Sequence, residues 1–148
     1  MGTRRRAREL AMQALFYIDT QQNGSPRMLD RFCENFSLPQ NVRPFFLQLV
    51  NGVLATQPQI DSLIERYSKN WRVQRMSCVD RNVMRIAVFE MLFCSDIPPK
   101  VSINEAIDIG KKFGSEDSGA FINGIVDSIR MAIEKGEVQV QPPEINTE

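Results

Sequence analysis

The sequence contains no histidine. That absence removes imidazole as general acid or base, as triad member and as metal ligand, so Ser-His or Cys-His catalysis and histidine-bearing zinc sites are excluded. Cysteine is scarce: Cys33, Cys78 and Cys94 stand far apart, are odd in number and form no CxxC pair. A zinc ribbon and a thioredoxin-type site are thereby excluded, and free thiols in a reducing, cytoplasmic compartment are expected. No apolar run approaches the length that spans a bilayer. Ala11 to Ile18 is too short for a secretory signal, and Met1-Gly2 leads to Arg6 rather than to a myristoylation serine or threonine. Net charge is missing as well, because 18 Lys plus Arg balance 18 Asp plus Glu. A strongly basic, chromatin-like binder of nucleic acid is excluded by that balance.

What is present is ordinary in amount and unusual in placement. The chain has 148 residues, 43% apolar and 24% charged, enough for one domain with its own core and too apolar for disorder. Its charges are segregated. Arg4, Arg5, Arg6 and Arg8 crowd the first eight residues beside Glu9, while Glu134, Glu137, Glu144 and Glu148 outweigh Lys135 at the other end. A local positive patch, hidden by the average, points to a polyanion.

The hydrophobic periodicity is helical nearly throughout, with no alternating strand pattern and no internal repeat. A first helix is predicted from an N-cap at Thr3 to about Gln21, its apolar face formed by Ala7, Leu10, Ala11, Ala14 and Ile18. Asn23-Gly24-Ser25-Pro26 ends it and starts a short helix to about Phe36, with Ser25 as N-cap. Asn41 to Ala55 is amphipathic, Pro58 kinks it or starts a new turn, and Ile60 to Tyr67 continues as helix. Ser77 with Asp80 resembles a capping box and opens a helix to about Cys94 that is apolar almost all round and therefore central. Ser102 to Glu105 reads as a full capping box opening a helix to about Phe113, and a last helix runs from about Glu116 to Lys135, closed by Gly136. The expected fold is all-α, about seven helices in two packed bundles, residues 1–70 and 71–136, with 137–148 a flexible acidic tail.

Three constellations carry chemical interest. On the wheel of the first helix Arg5 lies nearly opposite the apolar face, Arg6 and Arg8 lie on its flanks, and Phe16 points away from the core beside Glu9 and Gln13. Guanidinium groups for phosphates next to an aromatic ring for a base suit single-stranded RNA. Cations at a helix N-terminus also oppose the macrodipole at a cost of a few tenths of a kcal/mol each, a misplacement that favours function over structure. A solvated helix end is the competing reading. Glu90 falls inside the apolar stripe of the central helix, so it must be paired or accept hydrogen bonds; a tie to a neighbouring helix start is favoured over a catalytic acid, since no second carboxylate or nucleophile accompanies it. Glu116-Asp117-Ser118-Gly119 precedes Phe121, at the edge of an apolar face. The acids Asp80 and Asp108 and the lone Trp71 suggest no site.

The motifs Arg4-Arg5-Arg6-Ala7-Arg8-Glu9 and Gln13-Ala14-Leu15-Phe16 are followed by Val79-Asp80-Arg81-Asn82 and Met84-Arg85-Ile86-Ala87 with Glu90. Pro98 to Ala106, Lys111 to Gly114, Ser115 to Ser118 and Phe121 to Gly124 complete the series. In this order they resemble the NusB family of transcription antitermination factors over residues 3 to 130. The resemblance implies a non-enzymatic, cofactor-free, two-bundle helical protein. It implies binding of boxA-type single-stranded RNA together with the ribosomal protein NusE, and action on the RNA polymerase elongation complex, chiefly in ribosomal RNA operons. It assigns RNA contact to Arg4, Arg5, Arg6, Arg8, Phe16, Asp117 and Phe121, and the partner-binding region to Asp80 and Arg81. Ala120 stands where a lysine is common. A homodimer covering the arginine face is compatible with the family. An interaction adaptor that uses the basic start on an acidic surface, or the helical module of an RNA methyltransferase, are the alternatives.

Overall fold

The computed structural model describes residues 2–21 and 27–140, and the Asn23–Pro26 break with its proposed Ser25 cap lies outside them. Helix α1 (Thr3–Thr20) takes Gly2, not Thr3, as N-cap and has no side-chain cap bond. Thr3 is already helical, and its hydroxyl lies 3.4 Å from the Asn41 amide. After α2 (Arg27–Asn35) comes α3 (Arg43–Tyr67), which runs unbroken through Pro58. Pro58 does not break the helix: it faces solvent, while Val50, Val53, Ile60 and Ile64 on either side of it are fully buried on one continuous face. Burial of each such side chain stabilises by roughly 1.5–3 kcal/mol, which together outweigh the ~3 kcal/mol cost of an internal proline.

A 3-10 turn (Val73–Arg75) leads into α4 (Cys78–Phe93), whose N-cap Ser77 accepts the Asp80 N–H at 3.1 Å as expected. The reciprocal half of the box is absent: Asp80 is buried, and its Oδ1 has no hydrogen-bond partner among the described residues. α5 (Pro99–Phe113) starts three residues before the capping box read at Ser102. Pro99 at the first helical position supplies the helical φ and lacks the N–H that would need a cap, so Ser102 falls inside the helix and is free for another bond. α6 (Ser118–Glu134) ends at Gly136, whose φ of 73° is the left-handed closure that glycine accommodates. Val138 and Val140, expected in a loose tail, pack against the core; residues 141–148 lie outside the described residues.

Six α-helices and the short 3-10 turn therefore make up the described fold, all-helical and without strands among the described residues. α4 is its centre, in contact with α1, α3, α5 and α6. The expected division near residue 70 falls in the α3–α4 connection, and one hydrophobic cluster spans both halves, from Ala7 to Ile129. Two crossings are close because glycine permits them. The Phe89 ring of α4 occupies the space a Cβ of Gly52 on α3 would need, and Ile122 of α6 does the same at Gly110 on α5. In the α3–α4 connection Lys69 and Asn70 take left-handed φ values of 58° and 66°. For residues other than glycine this conformation costs roughly 1–2 kcal/mol each, so their surroundings must impose it.

Candidate nucleic-acid interface

The open end of α1 displays Arg4, Arg5 and Arg6, and each faces a carboxylate. Arg4 donates from Nη2 to Asp96 at 3.0 Å, in the α4–α5 connection, and lies over the Phe45 ring at 5.0 Å. Arg5 donates from Nε to Glu105 at 2.8 Å and from Nη2 to Asp108 at 2.9 Å, both on α5. Arg6 has Glu9 at 3.7 Å, a looser contact. Hydrogen bonding to Glu105 and its charge raise the Arg5 pKa, and the hydrogen bond from Arg4 holds the Asp96 carboxyl below its usual range. The pairs with Asp96 and Asp108 are solvent-exposed on both sides, so they contribute little to stability and remain open to exchange, whereas Glu105 is mostly buried and Glu9 is buried. A shallow cleft of about 420 Å³ lies between Arg4, Arg5, Asp96, Pro98 and Glu105.

Arg8 differs from its neighbours. It is 3% exposed and forms a bidentate pair with Glu90, Nε to Oε2 and Nη2 to Oε1, both at 2.8 Å. The Ser102 hydroxyl donates to the same Glu90 Oε1 at 2.9 Å. Glu90 thus ties α4 to α1 and to the first turns of α5, which is the structural tie favoured from sequence. Arg8 was expected on the RNA face; its guanidinium instead points inward because the buried carboxylate of Glu90 requires a cation. Glu9 was read as lying beside the outward ring of Phe16, yet it too is buried, with Lys112 of α5 donating to its Oε2 at 2.8 Å.

Phe16 is exposed, as the wheel indicated. It stands ten residues beyond Arg6, about 15 Å along the helix axis. Asp117 is exposed at the start of α6, and Phe121 is half-buried. The last turn of α5 joins this region to the arginines: Lys112 reaches Glu9 of α1, and the stem of Lys111 lies against Gly119 of α6. Trp71, to which the sequence suggested no role, meets Phe121 edge-on with ring centroids 6.2 Å apart. Nothing in the sequence spacing places residues 71 and 121 together.

Asp80 and Arg81 do not present their charges at the surface. Asp80 is buried. Arg81 donates from Nε to Asp19 of α1 at 2.6 Å and from Nη1 to the carbonyls of Gln74 and Met76 at 3.3 and 3.2 Å. Asp19 also accepts from Asn82 and Arg85, and Arg85 in turn pairs with Asp61 of α3 at 2.8 and 3.0 Å. Burial opposes ionisation of Asp19, but the hydrogen bond from Arg81 and the charge of Arg85 outweigh it and keep its carboxyl below the usual range. These residues form a partly buried frame that ties α1, α3 and α4 together. Burial pushes the Cys94 thiol up to about 11, far from a reactive thiolate at neutral pH. No group of three or more His, Cys, Asp or Glu among the described residues could hold a metal ion. No helix among them is long and apolar enough to cross a membrane.

Comparison with known proteins gives a consistent result. A model of the NusB family matches residues 5–130. A transcription antitermination protein NusB from Desulfatibacillum aliphaticivorans is 57% identical over 137 residues, spanning 93% of this chain and 96% of that protein. Among solved structures, T. maritima NusB is similar with a TM-score of 0.79 at 37% identity, over 91% of this chain and 97% of that one. A chain in the crystal structure of antitermination factors NusB and NusE in complex with dsRNA is similar with a TM-score of 0.78 at 25% identity, over 88% of this chain and 97% of that one.

Proposed function

The chain belongs to the NusB family, and from that premise we propose that it is an RNA-binding transcription antitermination factor. It holds a boxA-type single-stranded RNA jointly with the ribosomal protein NusE and delivers the pair to the elongating RNA polymerase. The observation that carries this reading is the open end of α1, where the guanidinium groups of Arg4, Arg5 and Arg6 reach solvent, Arg4 and Arg5 on the exposed carboxylates of Asp96 and Asp108, and connect through the last turn of α5 to Asp117 and Phe121. Guanidinium groups exchange a carboxylate for a phosphate without change of geometry, since both accept two parallel N–H bonds. Arg4, Arg5, Arg6, Phe16, Asp117 and Phe121 form the contact surface, and Arg8, Asp80 and Arg81 position the helices that carry it. The role is one of binding, without a chemical step.

The family relative bound to NusE and RNA supports the same pair of partners for this chain. The span of 96% of a NusB relative favours this reading over the helical module of a methyltransferase. The test is an RNA titration with and without NusE at two salt concentrations. Binding of the protein alone is expected to be weak and salt-sensitive, because few phosphates are neutralised. NusE should tighten it by roughly 5- to 150-fold, the usual range of coupling between two sites. Arg5→Glu with Arg6→Glu should abolish most of the binding while the chain keeps its helical circular dichroism. Absence of any gain with NusE, or retained RNA affinity in the double variant, refutes the reading.

A further inference from the structure

The α3–α4 connection carries cations of a different kind from those of α1. Whereas Arg4, Arg5 and Arg6 each face an acid, the side chains of Lys69, Arg72 and Arg75 make no hydrogen bond or ion pair among the described residues. All three are exposed. Among them stands Trp71, the sole tryptophan of the chain, 57% exposed. An indole left largely in water is costly, and its ring contact is the edge-on approach to Phe121, a residue of the proposed RNA face.

The connection is built to hold this side chain in place. Glu65 at the end of α3 accepts the Asn70 N–H on its carbonyl and the Val73 N–H on its carboxylate, both at 2.9 Å. The Ser68 hydroxyl lies 3.3 Å from the Trp71 carbonyl, and Arg81 holds the carbonyls of Gln74 and Met76 from below. The left-handed pair Lys69-Asn70 is thereby imposed, and Trp71 projects from a fixed backbone. A platform ordered in advance loses little freedom when a ligand settles on it.

We infer that this connection is a second RNA-contact site. An unstacked base lies against the Trp71 indole beside Phe121, and the flanking phosphates are taken by Lys69, Arg72 and Arg75. The chemistry is that of sequence-tolerant single-strand binders: an aromatic face for any base, with cations spaced along the backbone. Charge favours RNA here more directly than at α1, because no carboxylate must first be displaced. The inference rests on the RNA-binding reading and extends the RNA path from α1, past the start of α6, to the α3–α4 connection.

Because Trp71 is the sole tryptophan, intrinsic fluorescence of the full chain reports on this connection alone. The experiment titrates the protein with a single-stranded RNA oligonucleotide carrying a boxA-type element, following Trp71 emission and, in parallel, the anisotropy of end-labelled RNA. A saturable quench with the same midpoint as the anisotropy change is expected. Trp71→Ala should weaken binding by roughly 5- to 150-fold, the worth of one stacked base. Arg72→Ala with Arg75→Ala, which keeps the indole, should weaken binding and flatten its salt dependence. If RNA binds by anisotropy while Trp71 emission stays constant and both variants bind like wild type, the inference is overturned and the α1 face alone carries RNA. Quenching by NusE but not by RNA overturns it in favour of a protein-docking site. If no RNA binds by anisotropy with or without NusE, the RNA-binding reading itself fails and this inference with it.

Discussion

Replacing Arg8 by alanine separates the arginines that face RNA from the one that holds the fold. Arg8 and Glu90 are 3% and 1% exposed, and their two hydrogen bonds of 2.8 Å satisfy both carboxylate oxygens. Without Arg8, Glu90 keeps only the Ser102 hydroxyl, and Glu105, whose Oε1 lies 3.8 Å from Arg8 Nη1, adds a second negative charge nearby. Removal of one partner from a buried pair costs roughly 3–5 kcal/mol, because a charge is left in a medium that cannot solvate it. That is a large share of the 5–15 kcal/mol that typically separates folded from unfolded chains. At roughly 2–4 °C per kcal/mol for a chain near this size, the melting temperature should fall by about 6–20 °C. Arg5→Ala, whose guanidinium lies at the surface, should lower the melting temperature far less than Arg8→Ala. Urea and thermal unfolding followed by circular dichroism measure both variants. Arg8→Met combined with Glu90→Leu removes the charges together and should recover most of the loss while keeping RNA affinity. An Arg8→Ala variant within about 0.5 kcal/mol of wild type would refute the assignment of Arg8 to the interior. So would a folded double variant that had lost RNA binding as completely as Arg5→Glu with Arg6→Glu.

Two further outcomes follow from the charge arrangement. Asp108→Asn frees an Arg5 N–H group from an exposed carboxylate, so RNA affinity measured by anisotropy at low salt should rise about 2- to 5-fold and the gain should shrink at high salt. A fall in affinity would show that Asp108 positions Arg5 instead of competing for it. Asp19, whose folded-state pKa lies below its usual 3.8, adds stability that is fully present above that value and is lost as the pH falls through the lower, folded-state value. With no histidine to titrate, stability measured by urea unfolding should be nearly flat from about pH 5 to 8 and drop only below about pH 4, and Asp19→Asn should remove part of that drop.

The features legible in the sequence were those set by neighbours along the chain or by unavoidable cost. The all-round apolar pattern of α4 required a central helix, and Glu90 inside it required a partner. Phe16 was turned outward by simple periodicity. The partner of Glu90 was not legible, because a helical wheel shows that Arg8 lies on a flank without saying whether that flank meets water or α4. The answer lies 82 residues away in sequence. The same holds for the carboxylates opposite Arg4 and Arg5, and for the meeting of Trp71 with Phe121. Two local signals also competed at the start of α5: Ser102 and Glu105 have the right spacing for a cap, but Pro99 starts a helix without one. Ser102 and Glu105 were thereby released to bind Glu90 and Arg5.

The bare backbone at Gly52, filled by the ring of Phe89, fixes α3 against α4 as firmly as the charged ties fix α4 to α1 and α5. A scaffold locked at its centre cannot fold around its ligand. The conformational entropy lost on binding is then borne almost wholly by the RNA, whose nucleotides must each be brought to a stationary surface. RNA segments already unpaired and extended lose the least in doing so, and segments locked in stable duplex must first be opened at their own expense. Discrimination between RNAs can therefore begin with their flexibility, before any base edge is read.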